Sequence, residues 1–374
     1  MAVQALAGRL KSPYAGSVLA FGRSISVALA AGAVLLMGTP AVAAADDRET
    51  LSPGPLPPGS EVGHDDLHDT VVDRAAPVLR AARTQPTAAR YATADGLSVE
   101  VTVSSAYPYD PAADQKLVDF LASREHGYEL GSLRVYVGTP TEIARLCRSE
   151  HAVACYATAE DRVYVAGETV HGVPVEYALT HEYGHHLASW RSNAPWEALD
   201  WGAKYWASEM RVCSQVARGR LFPGNQGAHY LEDPGEAFAD GYAHLHFRSS
   251  PWQYTPILRP GRDAYKAIRR DVLRPWTGPR SRTLRGRLGR GRGARSMRLR
   301  LTLDGDVTAR LDAAPGLRAA VELESDQFAS GETLSGGQAF GVEWCRRAER
   351  ETVTVRVRRR SGSGPFALRL SYPG

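Results

Sequence analysis

Hydrophobic patterning divides these 374 residues into four stretches of different character. The first is an uncharged apolar run from Ser24 to Ala45, preceded by Arg9, Lys11 and Arg23 and by no acidic residue. It ends Ala41-Val42-Ala43-Ala44-Ala45, the small-residue pattern of a signal-peptide cleavage site, so residues 1–45 read as an export signal. An uncleaved anchor is the alternative, since the run is long enough to span a bilayer. Residues 46–90 are rich in Pro, Gly, Asp and Ala and carry no sustained period. They read as a flexible linker or propeptide. His64, Asp65, Asp66 and His68 within it could bind a metal weakly, though a solvated patch is the plainer reading.

From Tyr91 to Pro275 the period alternates between strand and helix. Leu97 to Val103 alternates as a strand does, and Leu133–Val137 and Arg162–Val165 are further strand candidates. Pro111 to Ser123 is a helix with Leu117, Val118, Phe120 and Leu121 inward. Three more helices follow: Pro174 to Trp190, a Trp-rich one around Trp196 to Ala217, and one opening at Asp233-Pro234. From Met297 onward short β runs at Leu299–Leu303, Ala319–Leu323, Thr352–Val357 and Ala367–Leu370 are separated by Gly, Pro and Asp. The layout predicts an α+β domain over 91–275. An Arg-rich linker and a small all-β sandwich follow over 276–374.

The helix from Pro174 to Trp190 has two distinct faces. Leu179, Tyr183, Leu187 and Trp190 make an apolar stripe, while Ala178, His181, Glu182, His185 and Ser189 make the other side. Within it stands His181-Glu182-Tyr183-Gly184-His185. Positions four apart share a helix face, so both imidazoles can reach one metal ion. The adjacent Glu182 is then close to a water held there. With 11 histidines in the chain, such a match arises by accident in about 1–2% of comparable sequences, so the helical context decides. Two histidines merely satisfied on a surface helix is the competing reading.

A catalytic zinc site needs three protein ligands and an open position. A third histidine at H-E-x-x-H-x-x-G-x-x-H spacing is excluded, because those later positions hold Ala188 and Arg191. The segment Asp233-Pro234-Gly235-Glu236-Ala237-Phe238-Ala239-Asp240 supplies a candidate. Asp233 can cap a helix and Pro234 suits its first turn. Glu236 and Asp240 then share one face. Glu236 can complete the ligand set, and Asp240 can accept a hydrogen bond from the far nitrogen of a ligating histidine.

These two segments together resemble the gluzincin metallopeptidases, the thermolysin-like clan, whose pattern is H-E-x-x-H followed by E-x-x-x-D. The resemblance implies a zincin-like fold in minimal form: a small sheet, a backing helix and two metal helices. It implies Zn2+ as cofactor, with His181, His185 and Glu236 as ligands. Glu182 would be the general base and Asp240 the partner of a histidine, acting on a peptide or protein substrate. It covers two helices only. The 50 residues between His185 and Glu236 exceed the spacing in thermolysin, and thermolysin's large C-terminal helical half has no counterpart here. Val353 to Val357, then Ser361 to Phe366 and a final strand, resemble in rhythm the pre-peptidase C-terminal domains of secreted bacterial proteases. The chain as a whole resembles secreted proteins of actinobacterial type. For the donor facing a developing oxyanion the candidates are Tyr230, His229, Tyr242, His244 and His246. An Arg162–Val165 strand at the sheet edge would hold extended peptide by strand addition.

Charge and cysteine usage refine this picture. Loss of residues 1–45 lowers the formal net charge from +4 to +1. The remaining basicity is local: nine arginines and no acid lie between Trp276 and Leu301. Such a stripe can meet a cell-surface polymer, or it can be a solvated linker and edge strand. No aromatic residue interleaves it after Trp276, so no nucleic acid partner is expected. No later segment is apolar enough for stable membrane insertion once the signal is cleaved. Cys147 and Cys155 fit a local disulfide, whereas Cys213 and Cys345 could pair across the domains or stay free. A secreted zinc peptidase is therefore the leading expectation. A catalytically inactive secreted protein binding a surface polymer is the alternative.

Overall fold

The computed structural model describes residues 68–72, 87–326, 328–348 and 351–374. The expected signal segment, most of 46–90, and the metal-binding candidates His64, Asp65, Asp66 and the His68 side chain lie outside the described residues. Those described belong to one unit, Thr50–Gly374, and bury separate apolar cores in a mixed α+β part and an all-β part.

The first part is built on a six-stranded sheet. Its strands are β1 (His68–Val72), β2 (Thr87–Ala92), β3 (Ser98–Val103), β4 (Arg134–Gly138), β5 (Ala152–Ala157) and β6 (Arg162–Ala166), in the order β1-β5-β6-β4-β3-β2. β3, β4 and β6 run parallel, β5 is antiparallel to β6, and β1 is parallel to β5. Two expectations are corrected here. Two stretches within 46–90 are strand rather than linker, because their backbones pair with β5 and β3. Arg162–Ala166 is an interior strand, hydrogen-bonded on both sides, and so cannot receive a peptide by strand addition.

Helices cover both faces. α1 (Pro111–Ala122) opens on Asp110, whose carboxylate accepts from the Ala112 and Ala113 amides, and buries Val118 and Leu121. α2 (Pro140–Leu146) starts with a reciprocal cap between Thr139 and Glu142 and covers the opposite face with Ile143 and Leu146. Cys147 at its end is bonded to Cys155 on β5. α3 (Val175–Ser189) crosses the other face and is buried from Tyr177 through Ala188, so both of its sides are enclosed. The expected Trp-rich helix is three short ones: α4 (Ala198–Trp201), α5 (Lys204–Glu209) and α6 (Val212–Val216). They are broken at Gly202 and Arg211, whose φ values of 75° and 56° cannot continue a right-handed helix. α7 (Pro234–His246) packs on α3, and α8 (Arg262–Leu273) buries Ala264, Ile268 and Val272.

The second part is a sandwich of two four-stranded antiparallel sheets. One has the order β11 (Phe328–Ser335), β10 (Arg318–Ser325), β13 (Glu351–Ser361), β8 (Ala294–Leu301). The other has β12 (Ala339–Trp344), β9 (Gly305–Ala313), β14 (Gly364–Tyr372), β7 (Arg280–Leu288). Alternate residues face inward, as Val353, Val355 and Val357 do on β13. The Arg-rich segment expected as linker is therefore two strands, β7 paired along its length with β14 and β8 paired with β13. Cys213 is bonded to Cys345, which joins α6 to the segment after β12. Arg346 reinforces this seam by an ion pair to Glu209 at 3.2 Å. Buried Lys204 lies between the rings of Trp196 and Trp276 and donates to the Ala194 carbonyl at 2.7 Å.

Candidate metal centre

α3 and α7 meet where Gly184 faces Ala239. A Cβ on Gly184 would stand 2.7 Å from the Ala239 Cα, so the absence of a side chain is what permits the approach. α7 is started by Asp233, whose carboxylate accepts from the Gly235 amide at 2.8 Å, with Pro234 in the first turn. Burial pushes the Asp233 carboxyl up to about 8, aided by the charge of Glu236.

The packed pair brings His181, His185 and Glu236 together. His181 Nε2 and His185 Nε2 are 3.2 Å apart. Glu236 Oε2 lies 3.2 Å from the His185 nitrogen and 3.4 Å from that of His181. All three residues are buried. Burial disfavours the charged imidazolium of His185 and lowers its pKa despite the opposing contact with Glu236, which favours the neutral ring that can ligate. Burial also opposes ionisation of Glu236, but contacts with His185 and His181 outweigh it and hold the carboxyl well below the usual range. Two imidazoles and a carboxylate converging on one point form a group that can hold a metal ion.

The surroundings fix the orientation of these donors. Gln226 donates to Glu236 Oε1 at 2.8 Å, leaving Oε2 turned to the histidines. Asp240 Oδ1 is 3.6 Å from His181 Nδ1, slightly beyond direct hydrogen bonding, and accepts from the Tyr177 hydroxyl. Its other oxygen is 3.5 Å from His244 Nε2. Glu182 is completely buried next to His181. A void of about 20 Å³ lies against His181, Tyr177, Asp240, Tyr230, Tyr254 and Val153. It is roughly the size that admits one water.

Of the expected oxyanion donors Tyr230 lies against a ligand, with its hydroxyl 3.2 Å from Glu236 Oε2. Tyr242 instead donates to the Glu125 carbonyl in the core. His246 lies 3.1 Å from Glu125, and His229 stacks on Phe222. His244 accompanies Asp240, so His244 and His246 share no site. Tyr177, Gln226 and Tyr254 are absent from the sequence-based candidates. Tyr177 had a signal, standing four residues before His181 on the same helix. Gln226 and Tyr254 come from loops, where no period marks them. The Tyr254 ring lies parallel to that of His181, with centroids 6.5 Å apart, and its hydroxyl meets that of Tyr230 at 3.1 Å. Burial, then the neighbouring Tyr230, Glu236 and Asp240, raise its pKa well above the ordinary value, so it remains a phenol.

No family model matches the chain, and no curated protein matches it. Among solved structures, the Yersinia pseudotuberculosis-derived mitogen matches at 11% identity. The match covers 25% of this chain and 86% of the mitogen, with a TM-score of 0.21.

Proposed function

We propose that this protein is a secreted zinc-dependent peptidase with a zincin-like catalytic domain. The observation that carries the reading is the donor triangle of 3.2, 3.2 and 3.4 Å. Ligands about 2.0–2.1 Å from a tetrahedral zinc are separated by about 3.3–3.4 Å, and two histidines with a carboxylate form a catalytic zinc set. Without a cation, two imidazole nitrogens facing one another at this distance would need a shared proton. Export is supported by two disulfides and the sequence pattern of residues 1–45. Among the described residues no helix is long and apolar enough to cross a membrane.

A bound zinc ion supplies Lewis acidity toward a water and the carbonyl to be cleaved. Glu182 takes the proton of the attacking water and delivers it to the departing amine. Tyr230 and Tyr254 are the phenolic donors nearest the ligands and can face the developing oxyanion. The ligands are buried and the void beside His181 is only water-sized, so a peptide could reach them only if neighbouring side chains move.

That enclosure also favours a second reading, a structural metal in an inactive secreted binding protein. Metal analysis and peptide-library cleavage by the wild type and Glu182→Gln decide between them. One zinc per chain in both, with cleavage by the wild type alone, is expected. Zinc without cleavage in either supports the second reading, and a wild type with neither metal nor cleavage overturns both. Glu236→Ala is expected to weaken zinc binding at least tenfold by competition with a chromogenic chelator, and unchanged affinity would remove Glu236 from the ligand set.

A further inference from the structure

β7 and β8 follow one another in the chain, joined by the Gly289–Gly293 turn, yet each forms the edge of a different sheet. One flank of the sandwich is thereby made of both edges, and all nine arginines between Arg280 and Arg300 are exposed on it. None of the nine has a carboxylate partner within ion-pair distance among the described residues. Arginines elsewhere on the same sandwich do: Arg369 with Asp312 at 2.9 Å, Arg358 with Glu322 at 3.2 Å and Arg356 with Glu324 at 3.7 Å. Arg280, Arg282 and Arg300 meet around an open hollow of about 520 Å³, beside Thr302, Tyr372 and Gly374.

An edge strand needs only a charge or two to resist pairing with another chain. Nine uncompensated cations on one flank exceed that need, and they repel one another until an anion neutralises them. The geometry points to a binding surface for a linear polyanion without bases, a phosphodiester-linked polymer of a cell surface. β7 extends the cations over about 30 Å, and alternate arginines such as Arg280 and Arg282 stand about 6.6–6.8 Å apart. That interval is on the scale of successive phosphates in an extended chain. Guanidinium groups present paired donors to each phosphate. A base-bearing strand would need stacking platforms. Thr277 to Leu301 contains no aromatic residue, and the Tyr372 ring is turned into the sandwich core.

The inference is independent of the metal centre, and its test uses the full chain. Poly(glycerol phosphate) and an oligothymidylate of equal charge are titrated onto the wild type in about 50 mM salt and at rising concentrations. Arg280→Ser/Arg282→Ser/Arg300→Ser is compared with Arg356→Ser/Arg358→Ser, in which the lost arginines were already paired. Folding of each is checked by near-ultraviolet circular dichroism. The wild type is expected to bind poly(glycerol phosphate), and the triple variant at least tenfold more weakly. Its slope of log affinity against log salt should be shallower by about two to three. A second variant, Arg285→Ser/Arg287→Ser, is expected to weaken binding in the same direction. Absence of wild-type binding, or equal losses in the triple variant and the paired-arginine control, overturns the proposal. Tighter binding of the oligothymidylate overturns it in favour of nucleic acid.

Discussion

At Gly184 a single methyl group would collide with the backbone of Ala239, whose carbonyl oxygen lies 2.9 Å from where the new carbon would be. Gly184→Ala should therefore separate α3 from α7 and widen the donor triangle. Overpacking of this kind costs about 1–3 kcal/mol. The expected outcome is a lower Tm together with weaker metal binding, and a variant with unchanged metal affinity would show that the helices can shift without moving the ligands. Glu129 is a second decisive residue. It accepts from Arg191 at 2.9 Å, from the Tyr183 hydroxyl at 2.9 Å and from the Gly127 amide at 2.7 Å, all in the interior. Burial opposes its charge, but Arg191 and the Gly127 amide outweigh burial and lower its pKa below 4.5. Its stabilising contribution is therefore complete above about pH 4.5 and is lost as the pH falls through the depressed value. Glu129→Gln leaves Arg191 buried without its counter-charge, at a cost of about 3–5 kcal/mol. Thermal melts from pH 7 to pH 3 should show a lower Tm at neutrality for the variant and a flatter decline in acid than the wild type.

At the scale of elements, α3 and α7 were legible because each announces itself locally. Pro174 and Asp233-Pro234 mark their starts, and the spacing of His181 with His185, and of Glu236 with Asp240, marks their faces. β5 was not legible: all six of its residues are buried, so it lacks the alternation that reveals a half-exposed strand. The order of strands escaped for a different reason. Neighbours in the sheet are chosen by long-range pairing, and nothing within Arg162–Ala166 says whether one or both of its edges will be occupied. α8 does carry a helical signal in Ala264, Ile268 and Val272, four apart, but six charged residues surround them. Beside the metal centre the sheet ends in β1, which is hydrogen-bonded along β5, and Val153 of β5 lines the void against His181. A peptide pairing with β5 would have to replace β1. Proline lacks the amide that such pairing uses. If the proposed peptidase reading holds, Val71→Pro is therefore expected to loosen β1 and raise kcat/KM on a peptide library, while an unchanged value would mean that substrate approaches elsewhere.

Considered as a whole, the molecule couples a mixed α+β part to a sandwich through charge, aromatic contact and covalent bonding. Lys204 sits at this seam with its pKa lowered to about 8 by burial, partly offset by Asp304, Asp306 and Asp271. The Cys213–Cys345 bond spans 132 residues of sequence, and a crosslink closing so long a loop removes much of the unfolded chain's freedom, a stabilisation of about 5 kcal/mol in the chain-entropy model. It also alters what a cut can accomplish. The connection between α8 and β7 runs through Arg274 to Pro279, within the loop that the bond closes. A protease that severs it produces two polypeptides and still one particle. On a non-reducing gel the nicked protein should migrate as a single band near full mass, and only thiol should split it in two. Cleavage of this connector would therefore not by itself separate the mixed α+β part from the sandwich. Release would wait on the reducing power of the surroundings.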